Sequence, residues 1–154
     1  MQYVELGRTG LKISRLGFGG IPIHRIDQPG ATALLKAAHE AGINYIDTAR
    51  GYTVSEAWIG QSLEELGLRV QFVLATKCRA LTKAEMQQQL ALSLENLRTD
   101  HIELYQLHNP SLQDLEQILA PGGALEALLE ARDAGVVGHI GVTAPLAAVF
   151  EKAL

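Results

Sequence analysis

The chain has 154 residues, enough for one domain with a hydrophobic core, and its 47 % apolar and 19 % charged residues are typical of a soluble globular protein. Its net charge of −4 argues against a surface for nucleic acid or anionic membranes, and no stretch is apolar enough to span a bilayer. The single cysteine, Cys78, excludes an intramolecular disulfide, and the absence of a visible signal peptide favours a cytoplasmic protein.

The predicted elements alternate between strands and helices along the chain. In chain order they are a hairpin at 3–14, a strand at 15–20, a helix at 29–42, a strand at 43–49, a helix at 55–66, a strand at 71–77, a helix at 82–97, a strand at 101–108, a helix at 124–135, a strand at 136–143 and a helix from 145 onward. Capping boxes are predicted at Thr53–Glu56 and Thr82–Glu85, and a loop is predicted between Pro110 and Gly123.

Strand–helix alternation at this spacing predicts a single α/β domain over residues 1–154, with a parallel sheet and helices on its faces. Two architectures fit this pattern, a doubly wound open sheet and part of a (β/α)8 barrel. A complete barrel takes about 250 residues, whereas this chain supplies five core strands, so a barrel here would be a partial one.

Polar residues stand at the ends of three successive predicted strands. Asp47 ends the second strand with Tyr52 just beyond it, Lys77 ends the third, and His108 ends the fourth. Each alone has an ordinary explanation as a turn residue, a half-buried aromatic or a solvated charge. Because the carboxyl ends of neighbouring parallel strands meet at one rim, about 4.8 Å apart, we expect the four side chains to converge there.

The chemistry of these four residue types is that of a proton donor. An ammonium beside Tyr52 favours the phenolate, and a carboxylate keeps that ammonium charged and in place. A histidine hydrogen bond orients a substrate oxygen. Such a group would protonate a carbonyl oxygen while the carbonyl carbon receives a nucleophile, which describes carbonyl reduction.

Three other functional classes compete with this interpretation. A non-catalytic binding or regulatory module is one, and a Schiff-base lyase using Lys77 is another, although neighbouring Asp47 opposes the neutral amine. A dinucleotide-binding domain resting on "GFGG" is disfavoured because these glycines do not lead directly into a helix. The remaining histidines lack metal-ligand spacing, so no metal site is predicted, and Arg50 is interpreted as a surface or pocket-rim charge.

At these residues the sequence resembles the aldo-keto reductases. The resemblance runs in order through "LGRTGLKISRLGFGG", "DTARGYTVSEAWIGQSLEEL", "LATK", "DHIELYQLHNP" and "GVVGHIGVT". It implies a (β/α)8 barrel, here a partial barrel of about five βα units, preceded by an N-terminal β-hairpin that plugs its base. It also implies NADPH-dependent reduction of small-molecule aldehydes or ketones.

The resemblance further implies roles for individual residues. Tyr52 would be the general acid/base, tuned by Lys77 and Asp47, and His108 would orient the carbonyl. Asp47 and three other residues would lie near the cofactor: Gly19, Gly20 and Thr143. With Tyr52 and His108, Asn109 would contact the substrate.

Two departures from the family pattern carry expectations of their own. The family's fifth strand ends in Gly-Val-Ser-Asn, whereas this chain has "GVTA", so Thr143 replaces the serine and Ala144 has no amide. Members of the family are about twice as long, and the iron–sulfur extension of the members most similar in "DTARGYTVSE" is not present. We therefore expect a truncated domain that self-associates through open barrel edges and binds NADPH poorly.

Overall fold

The computed structural model describes residues 1–153. It contains a two-stranded antiparallel hairpin, β1 (Tyr3–Glu5) and β2 (Lys12–Ser14), followed by a parallel sheet of five strands. The sheet strands are β3 (Phe18–Gly19), β4 (Tyr45–Asp47), β5 (Val73–Cys78), β6 (Ile102–His108) and β7 (Val137–Thr143). The hairpin predicted over residues 3–14 is confirmed.

Helices follow the strands of the sheet and lie between them in sequence. They are α1 (Gln28–Glu40), α2 (Ser55–Leu66), α3 (Lys83–Leu97), α4 (Leu112–Leu119), α5 (Ala124–Asp133) and α6 (Ala147–Ala153), with 3-10 turns at Ile21–Arg25 and Arg69–Gln71. A parallel strand pair needs a long crossover connection, and these helices provide it.

The order of the sheet decides between the two architectures that the sequence left open. The strands lie side by side as β3-β4-β5-β6-β7, in the order of the chain. A doubly wound sheet reverses its strand order at a switch point, whereas a barrel adds each strand beside the last. The doubly wound alternative is therefore wrong, and the partial-barrel expectation is confirmed.

The two faces of the sheet differ sharply in what they contact. On β5, the Thr76 hydroxyl donates to Glu56 on α2, and the Cys78 thiol contacts Met86 on α3, so these side chains face the helices. Lys77 lies between them in sequence and points to the opposite face, where it meets Asp47. The helix-facing side carries the main hydrophobic core, whereas the other face carries the polar residues of the rim.

Two local predictions about helix ends had different outcomes. The Thr82–Glu85 capping box is confirmed, because the Thr82 side chain accepts from the Glu85 amide and the Glu85 carboxylate from the Thr82 amide. The Thr53–Glu56 capping box is wrong: α2 begins after Val54 without a side-chain cap. The carboxylate of Glu56 turns into the protein instead, where Arg50, Thr76 and Ser93 donate hydrogen bonds to it.

The predicted loop after Pro110 contains a helix that the sequence analysis missed. Helix α4 begins with a capping box in which the side chains of Ser111 and Asp114 satisfy each other's amides. Its buried residues, Leu115 and Ile118, are three positions apart and therefore share one face. Because Pro110 precedes this short amphipathic segment and glycines follow it, the sequence predicted a loop here.

The sheet ends at β3 on one side and at β7 on the other, and each has one strand partner among residues 1–153. Unpaired strand edges favour association, so self-association through them stays a prediction.

Within the same residues, every helix is too short or too polar to cross a membrane.

Candidate active site

Strand register places Asp47, Lys77 and His108 on one face of the sheet. Asp47 pairs with the residue two positions before Lys77 on β5, and Lys77 pairs with the residue two positions before His108 on β6. Even offsets preserve the direction of a side chain because successive strand residues alternate between faces. The three side chains therefore step along one rim, as the sequence analysis expected.

Lys77 is the buried centre of this rim. Its side chain is 5 % exposed, and its ammonium donates to Asp47 Oδ1 at 2.5 Å and to the Thr48 carbonyl oxygen at 2.8 Å. A buried ammonium retains its charge only when it is paired and hydrogen-bonded. Asp47 and the backbone of Thr48 supply both conditions, and together they leave one N–H of Lys77 for a further partner.

Tyr52 lies beside that ammonium, in the loop between β4 and α2. Its ring centroid is 5.0 Å from Lys77 Nζ. Backbone hydrogen bonds fix the loop: the Arg50 amide donates to the Lys77 carbonyl oxygen at 2.9 Å, and the Tyr52 amide to the Ala49 carbonyl oxygen at 3.0 Å. The loop that carries Tyr52 is thus attached directly to the strand that carries Lys77.

His108 completes the group from the end of β6. Its ring is perpendicular to that of Tyr52, with the centroids 5.8 Å apart. Burial lowers the pKa of His108 below its ordinary value of 6.5, and the charges of Lys77 and Arg79 lower it further, while Asp47 opposes them. The imidazole is therefore neutral at neutral pH, and one ring nitrogen carries a hydrogen for a substrate oxygen.

A second tyrosine, Tyr45, lies two residues before Asp47 and offers a comparison. Burial and the nearby Asp47 carboxylate raise the pKa of Tyr45 to about 12. Both causes disfavour the phenolate. Tyr45 is therefore a poor proton donor, whereas Tyr52 lies next to a cation.

The predicted cofactor residues Gly19 and Gly20 lie beside Asp47 at the edge of the sheet. The Gly20 amide donates to the Asp47 carbonyl oxygen at 2.7 Å. A Cβ on Gly20 would lie 2.7 Å from Ser55 Oγ, so the close packing there requires glycine. A Cβ on Gly19 would meet nothing within 4 Å, so this backbone borders open space.

Asn109 and Thr143, the other predicted binding residues, contact each other. The backbone amide of Asn109 donates to Thr143 Oγ1 at 3.1 Å, and the Thr143 hydroxyl donates in turn to the side-chain oxygen Oδ1 of Asn109 at 3.0 Å. Asn109 has a φ of 51°, a left-handed conformation that asparagine tolerates better than most residues. The Thr143 hydroxyl is therefore occupied, and the exposed amide nitrogen of Asn109 is the group available to a ligand.

A cavity of about 900 Å³ opens at this rim, and its wall brings part of the predicted site together. Six residues that line it matter here: Arg50, Tyr52, Arg79, Gln89, His108 and Asn109. Lys77 and Asp47 are not among the lining residues, since Lys77 is buried behind Tyr52. The geometry supplies a tyrosine and a neutral histidine on the wall with a cation behind them.

Sequence reasoning missed the network behind Arg50. The Arg50 guanidinium donates to Glu56 Oε2 at 2.5 Å and to Gln89 Oε1 at 3.2 Å. Glu56 Oε1 accepts from Thr76 and Ser93 at 2.7 and 2.9 Å. The sequence carries no signal for this pair, because a glutamate in the first turn of a helix is ordinary there.

Comparison with known proteins identifies the family of this chain. The family model described as "Aldo/keto reductase family" matches residues 15–154. The chain belongs to the aldo/keto reductase family. That membership confirms the resemblance found in the sequence.

Three similar proteins illustrate this aldo/keto reductase membership. Aldo-keto reductase YhdN of Bacillus subtilis is 33 % identical over 93 % of this chain and 47 % of its own length. L-galactose dehydrogenase of Arabidopsis thaliana is 31 % identical over 90 % of this chain and 47 % of its own. The holo form of aldo-keto reductase AKR11C1 from Bacillus halodurans superposes with a TM-score of 0.87 at 30 % identity, covering 99 % of this chain and 53 % of that one. The chain thus spans about half the length of these relatives.

No group of three or more His, Cys, Asp or Glu side chains is placed to hold a metal ion within the described part of this aldo/keto reductase chain. The rim presents an ammonium, a phenol and an imidazole. These are proton donors and acceptors, and they fit acid–base work on an oxygen atom.

Proposed function

We propose that the protein is an NADPH-dependent oxidoreductase that reduces aldehydes or ketones to alcohols, with Tyr52 as general acid/base. The observation that carries this proposal is that Tyr52 lines an open cavity while its ring centroid lies 5.0 Å from the buried Lys77 ammonium behind it. Membership of the aldo/keto reductase family supports it. Because the chain spans about half the length of its relatives, the activity of the whole protein is part of the proposal.

The substrate oxygen would lie between the Tyr52 hydroxyl and the His108 imidazole, which form an edge-to-face pair on the same wall. A neutral His108 donates a hydrogen bond to that oxygen without adding a second full charge beside Lys77. Asn109 borders the same space and would contact the rest of the substrate. Both donors would strengthen their hydrogen bonds as negative charge develops on the oxygen.

A bound nicotinamide cofactor would supply the hydride to the carbonyl carbon. Tyr52 would then give its proton to the oxygen, and the Lys77 ammonium would stabilise the phenolate that remains. Asp47 holds that ammonium in place at 2.5 Å. In the reverse direction, the phenolate of Tyr52 would accept the proton of an alcohol.

The residues present fit the nicotinamide end of such a cofactor. Gly19 borders open space beside Asp47, and the amide nitrogen of Asn109 is exposed next to the cavity. Gly20 and Asp47 lie beside Gly19 at the β3 edge of the sheet, and Thr143 lies beside Asn109 at the β7 edge. Gly19, Gly20, Asp47 and Thr143 would hold the nicotinamide end of the cofactor.

The test is the Tyr52→Phe variant, assayed by NADPH oxidation with a panel of aldehydes. Removing a general acid costs about 10²- to 10⁴-fold in kcat, so we expect a loss of that size. Tyr45→Phe is the matched control, because it removes the hydroxyl of a tyrosine near Asp47 that has no role in the proposed reaction. This variant should retain wild-type activity. Unchanged turnover in Tyr52→Phe would end the reductase proposal. Wild-type protein that binds NADPH and reduces no aldehyde would favour the binding-module alternative instead.

A further inference from the structure

Arg79 lies on the same rim, and its charge has no partner there. It follows Lys77 by two positions and stands immediately after the end of β5. Its side chain is exposed, and it lines the cavity together with Tyr52 and His108. Among residues 1–153, no carboxylate forms an ion pair with it.

The other charged groups near this cavity are already engaged. Arg50 is paired with Glu56. The Glu85 carboxylate accepts from the backbone amides of Leu81 and Thr82, at 3.0 and 3.1 Å, as part of a helix cap. Asp114, which lies near Arg79 in an adjoining cavity, is likewise taken up by Ser111 at the start of α4.

Arg79 also lies close enough to His108 to affect it. The positive charge of Arg79 is one of the causes that lower the pKa of the imidazole. A charge that is close enough to affect the imidazole also acts on an anion held next to that imidazole, because the Coulomb interaction falls off only gradually with distance. Arg79 thus lines the same cavity that a substrate held by Tyr52 and His108 would fill.

We propose that Arg79 binds an anionic group of the substrate, so that the protein prefers carbonyl compounds that also carry a carboxylate or a phosphate. The inference rests on the proposed reductase function and names its substrate class. A guanidinium presents paired N–H donors that match both anions. The carbonyl would meet Tyr52 and His108 while the anionic end meets Arg79.

The experiment compares aldehydes that differ in charge. Succinic semialdehyde is paired with butanal for the carboxylate, and glyceraldehyde 3-phosphate with glyceraldehyde for the phosphate. The measured quantity is the ratio of kcat/KM for the anionic aldehyde to that for its neutral partner. In Arg79→Gln we expect this ratio to fall about tenfold, the low end for hydrogen bonds to charged groups, because the guanidinium is exposed to solvent. The arm with the larger fall identifies the preferred anion.

Two further variants serve as controls. Arg79→Lys keeps the positive charge but lacks the paired N–H donors of a guanidinium, so it should recover part of the ratio. Arg8→Gln removes an exposed arginine of the N-terminal hairpin, outside the cavity, and should keep the wild-type ratio. An unchanged ratio in Arg79→Gln would overturn the inference, and so would an equal loss on anionic and neutral aldehydes, which would point to cofactor binding or folding.

A binding measurement separates this inference from the proposed function. Calorimetric titration of the wild type and of Arg79→Gln with succinic semialdehyde and with butanal needs no turnover. If wild-type protein reduces neither aldehyde, the reductase proposal fails, yet tenfold weaker binding of succinic semialdehyde to Arg79→Gln would still establish the anion site. Equal binding of that aldehyde to both proteins would refute it.

Discussion

Two cation–carboxylate pairs flank Tyr52, and they are buried in opposite ways. Lys77 and Asp47 are joined at 2.5 Å, with side chains 5 % and 37 % exposed. Arg50 and Glu56 are also joined at 2.5 Å, with side chains 21 % and 2 % exposed. In the first pair the cation is buried and the anion reaches solvent, whereas in the second pair the anion is buried and the cation reaches the cavity.

This difference indicates different tasks for the two pairs. The buried Lys77 ammonium has two hydrogen-bond partners and faces the ring of Tyr52, so its charge is available to the phenol. The buried Glu56 carboxylate has every partner it needs in Arg50, Thr76 and Ser93. The first pair can tune chemistry, whereas the second connects the loop that carries Tyr52 to β5 and α3.

We expect the largest effect, a loss of stability, in Glu56→Ala. That change leaves Arg50 without its carboxylate and takes the acceptor from two fully buried hydroxyls, those of Thr76 and Ser93. Breaking a buried pair by removing one partner costs about 3–5 kcal/mol, and we expect a loss in the free energy of unfolding near this range. Urea denaturation followed by circular dichroism would measure it.

Glu64→Ala is the matched control, since Glu64 lies on the same helix and pairs with Arg98 at the surface. Exposed pairs contribute up to about 1 kcal/mol, so this variant should remain close to wild type. Similar losses in the two variants would show that the burial of Glu56 is energetically unimportant and would remove the contrast between the two pairs.

Asp47→Asn should reverse the pattern by affecting activity more than stability. The asparagine oxygen can still accept from Lys77, but the buried ammonium loses its counter-charge, so we expect a loss in unfolding free energy of about 1–2 kcal/mol, less than for Glu56→Ala. The neutral amide no longer holds Lys77 as a carboxylate does, and we expect kcat to fall by about 10²-fold, the lower end for acid–base groups. Steady-state kinetics and denaturation on one preparation would test both parts. A variant that unfolds readily but retains its kcat would contradict the assignment of tasks.

The first pair and its neighbours could be predicted from the sequence because they follow strand ends. Asp47, Lys77 and His108 each close an apolar run, and a parallel sheet brings such ends to one rim. The even register offsets that put them on one face depend on how the strands pair, so they are known only from the structure. What a strand pattern predicts well is the position of a residue along the strand and the rim that it reaches.

The second pair could not be predicted, because its partners come from separate elements. A glutamate three positions after Thr53 fits a capping box locally, and nothing near it in sequence indicates a contact with Thr76 or Ser93. The burial of Glu56 depends on how α2 and α3 pack on the sheet. Local pattern therefore gave the wrong role for this carboxylate.

The smallest expected effect concerns His108 and its dependence on pH. Burial first, and then the charges of Lys77 and Arg79, lower its pKa in the folded protein below 6.5, although Asp47 opposes the shift. As the pH falls, the unfolded chain therefore binds this proton before the folded one does. The stability linked to His108 is fully present above about pH 6.5 and is lost as the pH falls from there through the lower folded pKa. In His108→Gln this part of the pH dependence should disappear, whereas His24→Gln, at an exposed position in a 3-10 turn, should retain it. Urea midpoints measured across this pH range would test the prediction, and parallel curves for wild type and His108→Gln would contradict a neutral His108 beside the Lys77 pair.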